Sequence, residues 1–291
     1  MKKFALLVCL VFGLPAARAD EVWVPPKGSV HAAISFTGSL WDQYLEYGSS
    51  SVALPGEITQ YEVAIYGEYA PIENLSFDLL LPFVQVQRKF SYLQTDEFGN
   101  ILDVGTGPDG EIRDVNTNRG VGDVVLGSKY IFWSKGISLG GRVHLKIPGT
   151  YDTGYVPNAP GDGQADLGFS FLAGSNIPQI RMYFRGSFGY VARFGEPGNQ
   201  IELMLEPGVY ITRSLVARFT YQHVHEFGGT DIVPYQENFY PSVKENSDRI
   251  GFGLSYRASD TIGFFALYQQ TVAGRNTANT KALTFGTDFS F

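Results

Sequence analysis

Apolar and polar residues alternate along most of the chain with a period of two. In IRMYFRGSFGYVARF, for example, Met182, Phe184 and Phe188 fall on one face of an extended strand, and Arg181 and Arg185 fall on the other. A period of two is typical of β-strands, whereas an amphipathic helix repeats every 3.6 residues. The pattern therefore predicts extended strands.

Twelve segments with this alternation follow one another. They lie at 29–40, 58–70, 75–90, 120–133, 136–148, 164–175, 179–194, 200–213, 214–226, 247–258, 261–272 and 280–291. These segments are 12 to 16 residues long, whereas strands of a soluble sandwich average about 5 to 6 and a tilted strand crosses a bilayer in about 9 to 11. We therefore predict an all-β fold, a 12-stranded antiparallel transmembrane β-barrel with its apolar faces toward lipid and its polar faces toward the interior.

The connections between these segments alternate in length. Short ones lie at 70–74, 133–136, 176–179, 212–214 and 258–261, and longer ones lie near 41–57, 91–119, 149–163, 195–199, 227–246 and 273–279. An even number of strands, with tight turns and both termini at one end, is the bacterial outer-membrane pattern, in which the turns are periplasmic and the loops extracellular. The alternation is weakest in DLLLPFV, where we expect a β-bulge at Pro82.

Charged residues fall on the predicted interior face of several strands. We predict that the interior is lined by Asp123, Arg142, His144, Lys146, Asp166, Arg181, Arg185, Glu202, Glu206 and Arg218. The two arginines at 181 and 185 are expected to face the glutamates of the next strand across a hairpin. The basic row at 142–146 is expected to meet Asp123 and Asp166 on flanking strands.

Two interpretations of this interior remain open at the level of sequence. Charges of both signs could set up a transverse field in a water-filled pore. They could instead form a lattice of ion pairs that fills a narrow barrel. Eight strands leave an interior that side chains just fill, and sixteen to eighteen leave an open channel, so twelve strands do not decide between the two.

The two ends of the chain carry signals of their own. Residues 1–19 have two lysines, a short apolar run and small residues before the expected cleavage after Ala19, which is the order of a secretory signal peptide. This assignment leaves 20–291 as the barrel. The single cysteine, Cys9, lies within the signal peptide, so disulfides and cysteine-based metal sites are not expected in the mature protein.

The composition fits a protein that is not surrounded by water alone. Aromatic residues make up 14% of the chain, and charged residues make up only 18%, against about 25% in a typical globular chain. Removing Lys2, Lys3 and Arg18 from the 22 basic residues leaves 19 against 29 acidic ones, a net charge near −10. Because binding phosphates requires a basic face, nucleic acid is not an expected partner.

The chain ends with TFGTDFSF, in which apolar residues again alternate. Thr284, Gly286, Phe289 and Phe291 match the C-terminal signal of the outer-membrane β-barrel class, so the sequence resembles that class. The resemblance implies recognition by the periplasmic barrel assembly machinery, and a location among the lipids and lipopolysaccharide of the outer membrane. Phe291 is expected in the interfacial aromatic girdle.

A narrower resemblance covers much of the chain. The stretches LLPFVQVQRK, GVGDVVLGSKY, HLKIPGTYDTG and GDGQADLGFSF resemble the family of outer-membrane proteins named for the meta-pathway (MetA-pathway) of phenol degradation. Gly120, Gly122 and Asp123 correspond to the start of one of its strands, and Pro148 and Gly149 to the exit from the next. The resemblance implies a barrel that helps solutes across the outer membrane.

Enzymatic and metal-binding alternatives find little support in the residues. One outer-membrane phospholipase type is a barrel of this size, but YQHVHEF offers His223 and His225 without a serine at a suitable spacing. We expect both histidines to face lipid near the outer rim as girdle residues. The segment DVGTGPDGEIRD has Gly105 and Gly107 where a calcium loop needs carboxylates. We therefore expect no catalytic residue, metal site or cofactor.

The sequence thus predicts an outer-membrane channel for passive transport of small solutes, hydrophobic or aromatic compounds among them. A structural or surface-interaction barrel with a plugged lumen is the alternative, and an outer-membrane phospholipase is the third. The apolar residues of 91–119 could form an apolar channel entrance for aromatic solutes or pack over the barrel rim.

Overall fold

The structure is a computed structural model that describes residues 22–47, 50–90, 92–95, 101–105, 114–151, 161, 163–195, 198–227, 246–275 and 277–291. The predicted signal peptide lies outside these residues. The strands are β1 (Val30–Tyr47), β2 (Ser50–Ile72), β3 (Leu75–Phe90), β4 (Tyr92–Thr95), β5 (Ile101–Gly105), β6 (Asp114–Val121), β7 (Val124–Lys135), β8 (Ile137–Ile147), β9 (Asp166–Ile177), β10 (Met182–Arg193), β11 (Asn199–Tyr210), β12 (Leu215–Phe227), β13 (Asn246–Arg257), β14 (Ile262–Arg275), β15 (Thr277–Ala278) and β16 (Lys281–Ser290). A single 3₁₀ turn occupies Pro178–Ile180. In the part of the chain described, no helix is long and apolar enough to cross a membrane.

Twelve of these strands form a closed antiparallel ring, which confirms the predicted barrel. Strands β1 to β3, β7 to β14 and β16 each pair with the next, and β16 returns to pair with β1 from Ser290 opposite His31 to Lys281 opposite Leu40. Strand β6 pairs with the outer part of β3, β15 pairs with β1, and β4 with β5 forms a separate hairpin. Both termini lie at the end of the barrel with the tight turns, which we call the periplasmic end.

The outer surface of the barrel is apolar. Phe184 and Phe285 are 43% and 48% exposed, and Leu203 shares their outward face opposite Phe188. On β3 the outward positions from Leu75 to Phe83 are all apolar. Eight steps of about 3.3 Å, shortened by the strand tilt, span about 20 Å of the roughly 25 Å apolar band of outer-membrane barrels. The apolar faces therefore meet lipid and do not converge on a dry centre.

Two predicted loops are partly strands. The connection predicted at 41–57 is an extension of the β1 and β2 hairpin, with Trp41 opposite Ile58 and Tyr44 opposite Val52. The loop predicted at 91–119 contains β4, β5 and β6, and its residues 106–113 lie outside the described residues. Beyond the bilayer a strand needs no apolar outward face, so backbone pairing continues where the alternation in sequence has stopped.

The irregularity expected at Pro82 lies in the neighbouring strand. β3 pairs with β2 through Pro82 without a shift of register. Between the pairs Leu80 with Val125 and Phe83 with Val121, however, the β6 and β7 side has one residue more than β3. Proline has no N–H to donate, and its carbonyl accepts the N–H of Gly122 at 2.9 Å. The predicted segment 120–133 is consequently interrupted at Gly122 and Asp123.

A charge on the lipid face provides a test of this orientation. Phe285 lies near the middle of β16 and faces outward, opposite Phe36. We expect Phe285→Arg to lower the free energy of unfolding in phospholipid bilayers by about 2–4 kcal/mol, because the charge would sit near the bilayer midplane. Gln270→Arg, at the outer rim of the same surface, is the control and should cost about 0–1 kcal/mol. Equal costs at the two positions would contradict the lipid-facing assignment.

Candidate functional site

The barrel interior is lined by long side chains that lie over glycines of the adjacent strand. His144 faces Gly168 across the sheet, and its ring occupies the space where a side chain at Gly168 would begin. Tyr183 covers Gly208 in the same way. Further pairs of this kind are Asp78 with Gly127, Arg218 with Gly253, Asp288 with Gly263, and Phe265 with Gly286. Each glycine therefore lets its neighbour lie flat against the wall instead of reaching across the lumen.

A buried layer of ion pairs occupies the periplasmic half of the interior. Arg142 donates to both carboxylate oxygens of Asp78, with Nη2 2.7 Å from Oδ1 and Nε 3.3 Å from Oδ2. Lys129 Nζ lies 2.9 Å from Glu68 Oε1, and that oxygen also accepts the Ser76 hydroxyl at 2.6 Å. These charges are almost completely buried, so each depends on its partner for the stabilisation that water would otherwise provide.

A third ion pair belongs to the same layer. Arg185 Nη2 lies 2.8 Å from Glu206 Oε2, and Tyr183 Oη donates to the other oxygen of this carboxylate at 2.5 Å. The side chains of Arg185 and Glu206 are 2% and 1% exposed. The carboxylate is thus bonded on both oxygens, which fixes the geometry of the pair.

Five charged residues form an arc of alternating sign at the outer end. Lys146 Nζ lies 2.5 Å from Asp166 and 3.6 Å from Asp123. Arg193 lies 3.8 Å from Asp166 and 3.5 Å from Glu226. Asp123 also accepts the Tyr151 hydroxyl. The arc follows the wall from β7 to β12 and contains three carboxylates and two cations, so its local charge is slightly negative.

Between these two layers several polar inward side chains are only half-buried, although neighbours such as Thr37, Met204 and Thr220 are buried. The half-buried residues are His144, Ser170, Ser187, Glu202, Gln222, Arg249 and Thr284. Inward-facing side chains that retain accessible surface must border space within the lumen, because their outward side is closed by the sheet. The middle of the barrel therefore contains a polar space between two tightly packed layers.

The structure places nine of the ten predicted lining residues on the interior wall. Arg185 pairs with Glu206, and Lys146 pairs with both Asp123 and Asp166. Arg181 is the exception: it is exposed in the periplasmic turn, with φ of 53°, just before β10 begins. Pro178 starts a 3₁₀ turn there, so the alternation used to place Arg181 does not extend to it.

One part of the wall is apolar, which the sequence pattern did not reveal. Tyr66 and Leu80 are buried inside the barrel in a cluster with Val125 and Phe265 packed against it. Nearer the outer end, a second cluster contains Trp41, Ile58, Val84 and Val86. The inward positions of β3 do change from polar to apolar after Asp78. Because the outward Leu79 and Leu81 beside them are apolar too, the alternation disappears there and the change cannot be recognised from the pattern.

The N-terminal segment also enters the interior, which the sequence did not predict. Val22 is completely buried near the periplasmic end, in a cluster with Ile131 and Leu172. Trp23 contacts the ring of Tyr183 edge to face, with centroids 5.7 Å apart. This segment precedes the first alternating strand and has no period of its own, so no pattern marked it.

The histidine pair on β12 faces outward, as expected for girdle residues. His223 Nδ1 lies 2.9 Å from Asp248 Oδ1, and Tyr221 donates to the same oxygen at 2.6 Å. The His223 and His225 rings stack with centroids 6.3 Å apart. The described contacts of His223 thus give it an acidic partner and no nucleophile. No cluster of three or more potential metal-ligating side chains occurs among the described residues.

Comparison with known proteins agrees with this architecture. The chain matches the family model described as "Putative MetA-pathway of phenol degradation" over residues 47–285. Among solved structures, the COG4313 outer membrane channel from Pseudomonas putida F1 aligns with a TM-score of 0.66 and 12% identity, covering 91% of this chain and 96% of that chain. The β domain of the Bordetella autotransporter BrkA aligns with a TM-score of 0.51 and 11% identity, covering 91% and 100%. None of the curated proteins matches the sequence significantly.

The closed ring, the apolar exterior and the polar interior define an outer-membrane β-barrel. Within that class, the family match spans most of the chain, and the protein belongs to the family named for the MetA-pathway of phenol degradation. The structural similarities, at 11% and 12% identity, concern the fold alone.

The buried ion pair between Asp78 and Arg142 provides a test of the interior. We expect Asp78→Leu or Arg142→Met alone to lower the free energy of unfolding by about 3–5 kcal/mol, because each leaves a buried charge without its partner. The double variant should lose less than the sum of the two. The exposed pair of Lys89 and Glu57 is the control, and Lys89→Met should cost less than about 1 kcal/mol. Additive losses in the double variant would contradict the coupling.

Proposed function

We propose that the protein is a narrow channel for passive diffusion of small solutes across the outer membrane. The observation that carries this proposal is the arrangement of lining side chains over glycines. A barrel built only for rigidity would gain contacts by directing such side chains across the lumen, whereas here they lie along the wall. The half-buried polar ring in the middle of the barrel borders the resulting space.

The charges of the lining suit small polar or polarisable solutes. The three ion pairs of the periplasmic half and the outer arc place both signs close together, so the lumen has strong local fields but little excess charge. A pore of this kind orients dipolar solutes without favouring cations over anions. We therefore propose low selectivity between small cations and anions.

Hydrophobic and aromatic compounds are the solute class that we favour. The interior clusters around Leu80 and Val84 provide an apolar strip beside the polar path. The description of the family, which refers to phenol degradation, supports the same solute class.

A barrel with a plugged lumen is the second candidate. The burial of Val22 and the partial burial of Trp23 at the periplasmic end favour it, because this segment narrows the path. The acid and histidine pair on the lipid face offers no comparable support for a phospholipase, so we propose a channel and not an enzyme.

Export and assembly are part of the proposal. We infer that residues 1–19 are removed as a signal peptide and that the C-terminal signal is read by the barrel assembly machinery. In the folded barrel Phe289 and Phe291 stack on the outer surface, 6.3 Å apart, where lipid of the periplasmic leaflet would contact them. Gly286 of the same signal lies under Phe265, so this glycine also serves the packing of the lumen.

Single-channel recording in planar bilayers tests the channel directly. We expect steady ion current from the purified, folded protein. A folded protein that passes no current would favour the plugged barrel. For the solute, phenol uptake by cells with the protein should exceed uptake by cells without it, and equal rates would remove the aromatic class from the proposal.

A substitution under His144 tests the role of the glycines. Gly168→Leu places a side chain where the His144 ring now lies and pushes this ring into the lumen, so conductance should fall to about half or less. Gly67→Leu is the matched control, because Gly67 faces outward on β2 and a Cβ there meets open space. If both variants conduct like the unaltered protein, the glycines do not set the bore.

A further inference from the structure

The segment Val22–Val24 fits its position inside the barrel closely. Val22 packs against Ile131 and Leu172, and both of these side chains are buried. Gly174 of β9 makes room for it, because a Cβ at Gly174 would overlap the Val22 side chain. The Val22 side chain and the barrel wall are therefore complementary in shape at this point.

The neighbouring Trp23 is held by an aromatic and a polar contact. Its ring meets Tyr183 edge to face at an interplanar angle of 80°. Its carbonyl oxygen accepts a hydrogen bond from Lys129 Nζ at 3.1 Å, and the same lysine pairs with Glu68 at 2.9 Å. The niche thus combines an apolar floor, an aromatic wall and one positively charged hydrogen-bond donor.

Among the described residues, side-chain contacts and this hydrogen bond hold the segment, which is not part of the sheet. It is tethered just before β1 instead. The N–H of Gly28, which has φ of 81°, donates to the Ala70 carbonyl at 2.7 Å, and the Ser29 N–H donates to the Pro26 carbonyl at 3.0 Å. Residues 22–24 can therefore leave the niche while the turn before β1 stays in place.

On the basis of the channel function above, we propose that Val22–Val24 occupies a solute-binding niche of the lumen as an internal ligand. An aromatic solute that carries an oxygen acceptor displaces it from the niche formed by Ile131, Leu172, Tyr183 and Lys129 on the way to the periplasm. The solute reproduces the contacts of Trp23: its ring packs against Tyr183 and the apolar floor, and its oxygen accepts from Lys129. The segment then returns to the niche and narrows the path again when the solute has left.

A reversible disulfide tests whether displacement is needed for passage. Since a side chain at Gly174 would touch Val22, cysteines at the two positions fall near the roughly 3.5–4.5 Å Cβ separation of disulfides. With phenol present to displace the segment in the reduced protein, we expect Val22→Cys with Gly174→Cys, in a Cys9→Ser background, to conduct severalfold less when oxidised than when reduced. Each single cysteine variant is a control and should not respond to oxidation. Equal currents in the oxidised and reduced double variant would overturn the displacement.

Thiol labelling tests the solute site without relying on current. Val22→Cys in the Cys9→Ser background is treated with a membrane-impermeant maleimide in the presence of phenol or, as control, glycerol. We expect phenol to raise the labelling rate severalfold over glycerol, because it competes for the niche. Trp23→Ala should raise the rate without phenol, since it removes the main contact of the segment.

The outcomes separate this proposal from the channel function. Labelling accelerated by phenol in a protein that passes no current would support the solute site and overturn the channel. Normal current together with equal labelling in phenol and glycerol would overturn the solute site and leave the channel in place.

Discussion

Closure of the sheet is the constraint on which the rest of the structure depends. In lipid every backbone N–H and C=O must find a partner within the protein, so an open edge is not tolerated. The final pairing of β16 with β1 meets this requirement, and it extends to the last residue: Phe291 and Val30 exchange two backbone hydrogen bonds of 2.9 and 3.0 Å. A terminal aromatic residue is thus held in the wall, where its ring contacts the outer surface.

Closure with twelve strands also fixes the circumference, and the interior must then fit its side chains into a set space. Long charged side chains line this barrel, and two features of the sequence accommodate them. Opposite charges are placed within reach, as with Arg185 and Glu206, and glycines are placed across the sheet from large residues, as with Gly168 and His144. The high glycine content of the chain, 34 residues, is in part explained by this second feature.

The sequence predicted strand positions and side-chain contacts between adjacent strands, but it did not predict contacts between strands that are not adjacent. The segment predicted at 75–90 has the same bounds as β3. The ion pair of Arg185 with Glu206 could be predicted because their strands are neighbours in a hairpin. The pair of Arg142 with Asp78 could not, because the two lie on β8 and β3 with β7 between them. Arg142 reaches across β7 near Gly127, whose missing side chain leaves the Asp78 carboxylate accessible. Such a contact depends on the stagger of three strands, which alternation alone does not specify.

Polarity along β3 shows how one strand serves two environments. Up to Phe83 its outward residues are apolar, and beyond it Gln85 and Gln87 face outward while Val84 and Val86 face inward. This inversion marks the level where the wall leaves lipid: above it the hairpin must bury its apolar residues inside, as a soluble sheet does. The same inversion creates the apolar cluster at the outer end of the lumen. A packed apolar cluster at the outer end of the lumen is therefore a physical consequence of extending β1 to β3 beyond the bilayer.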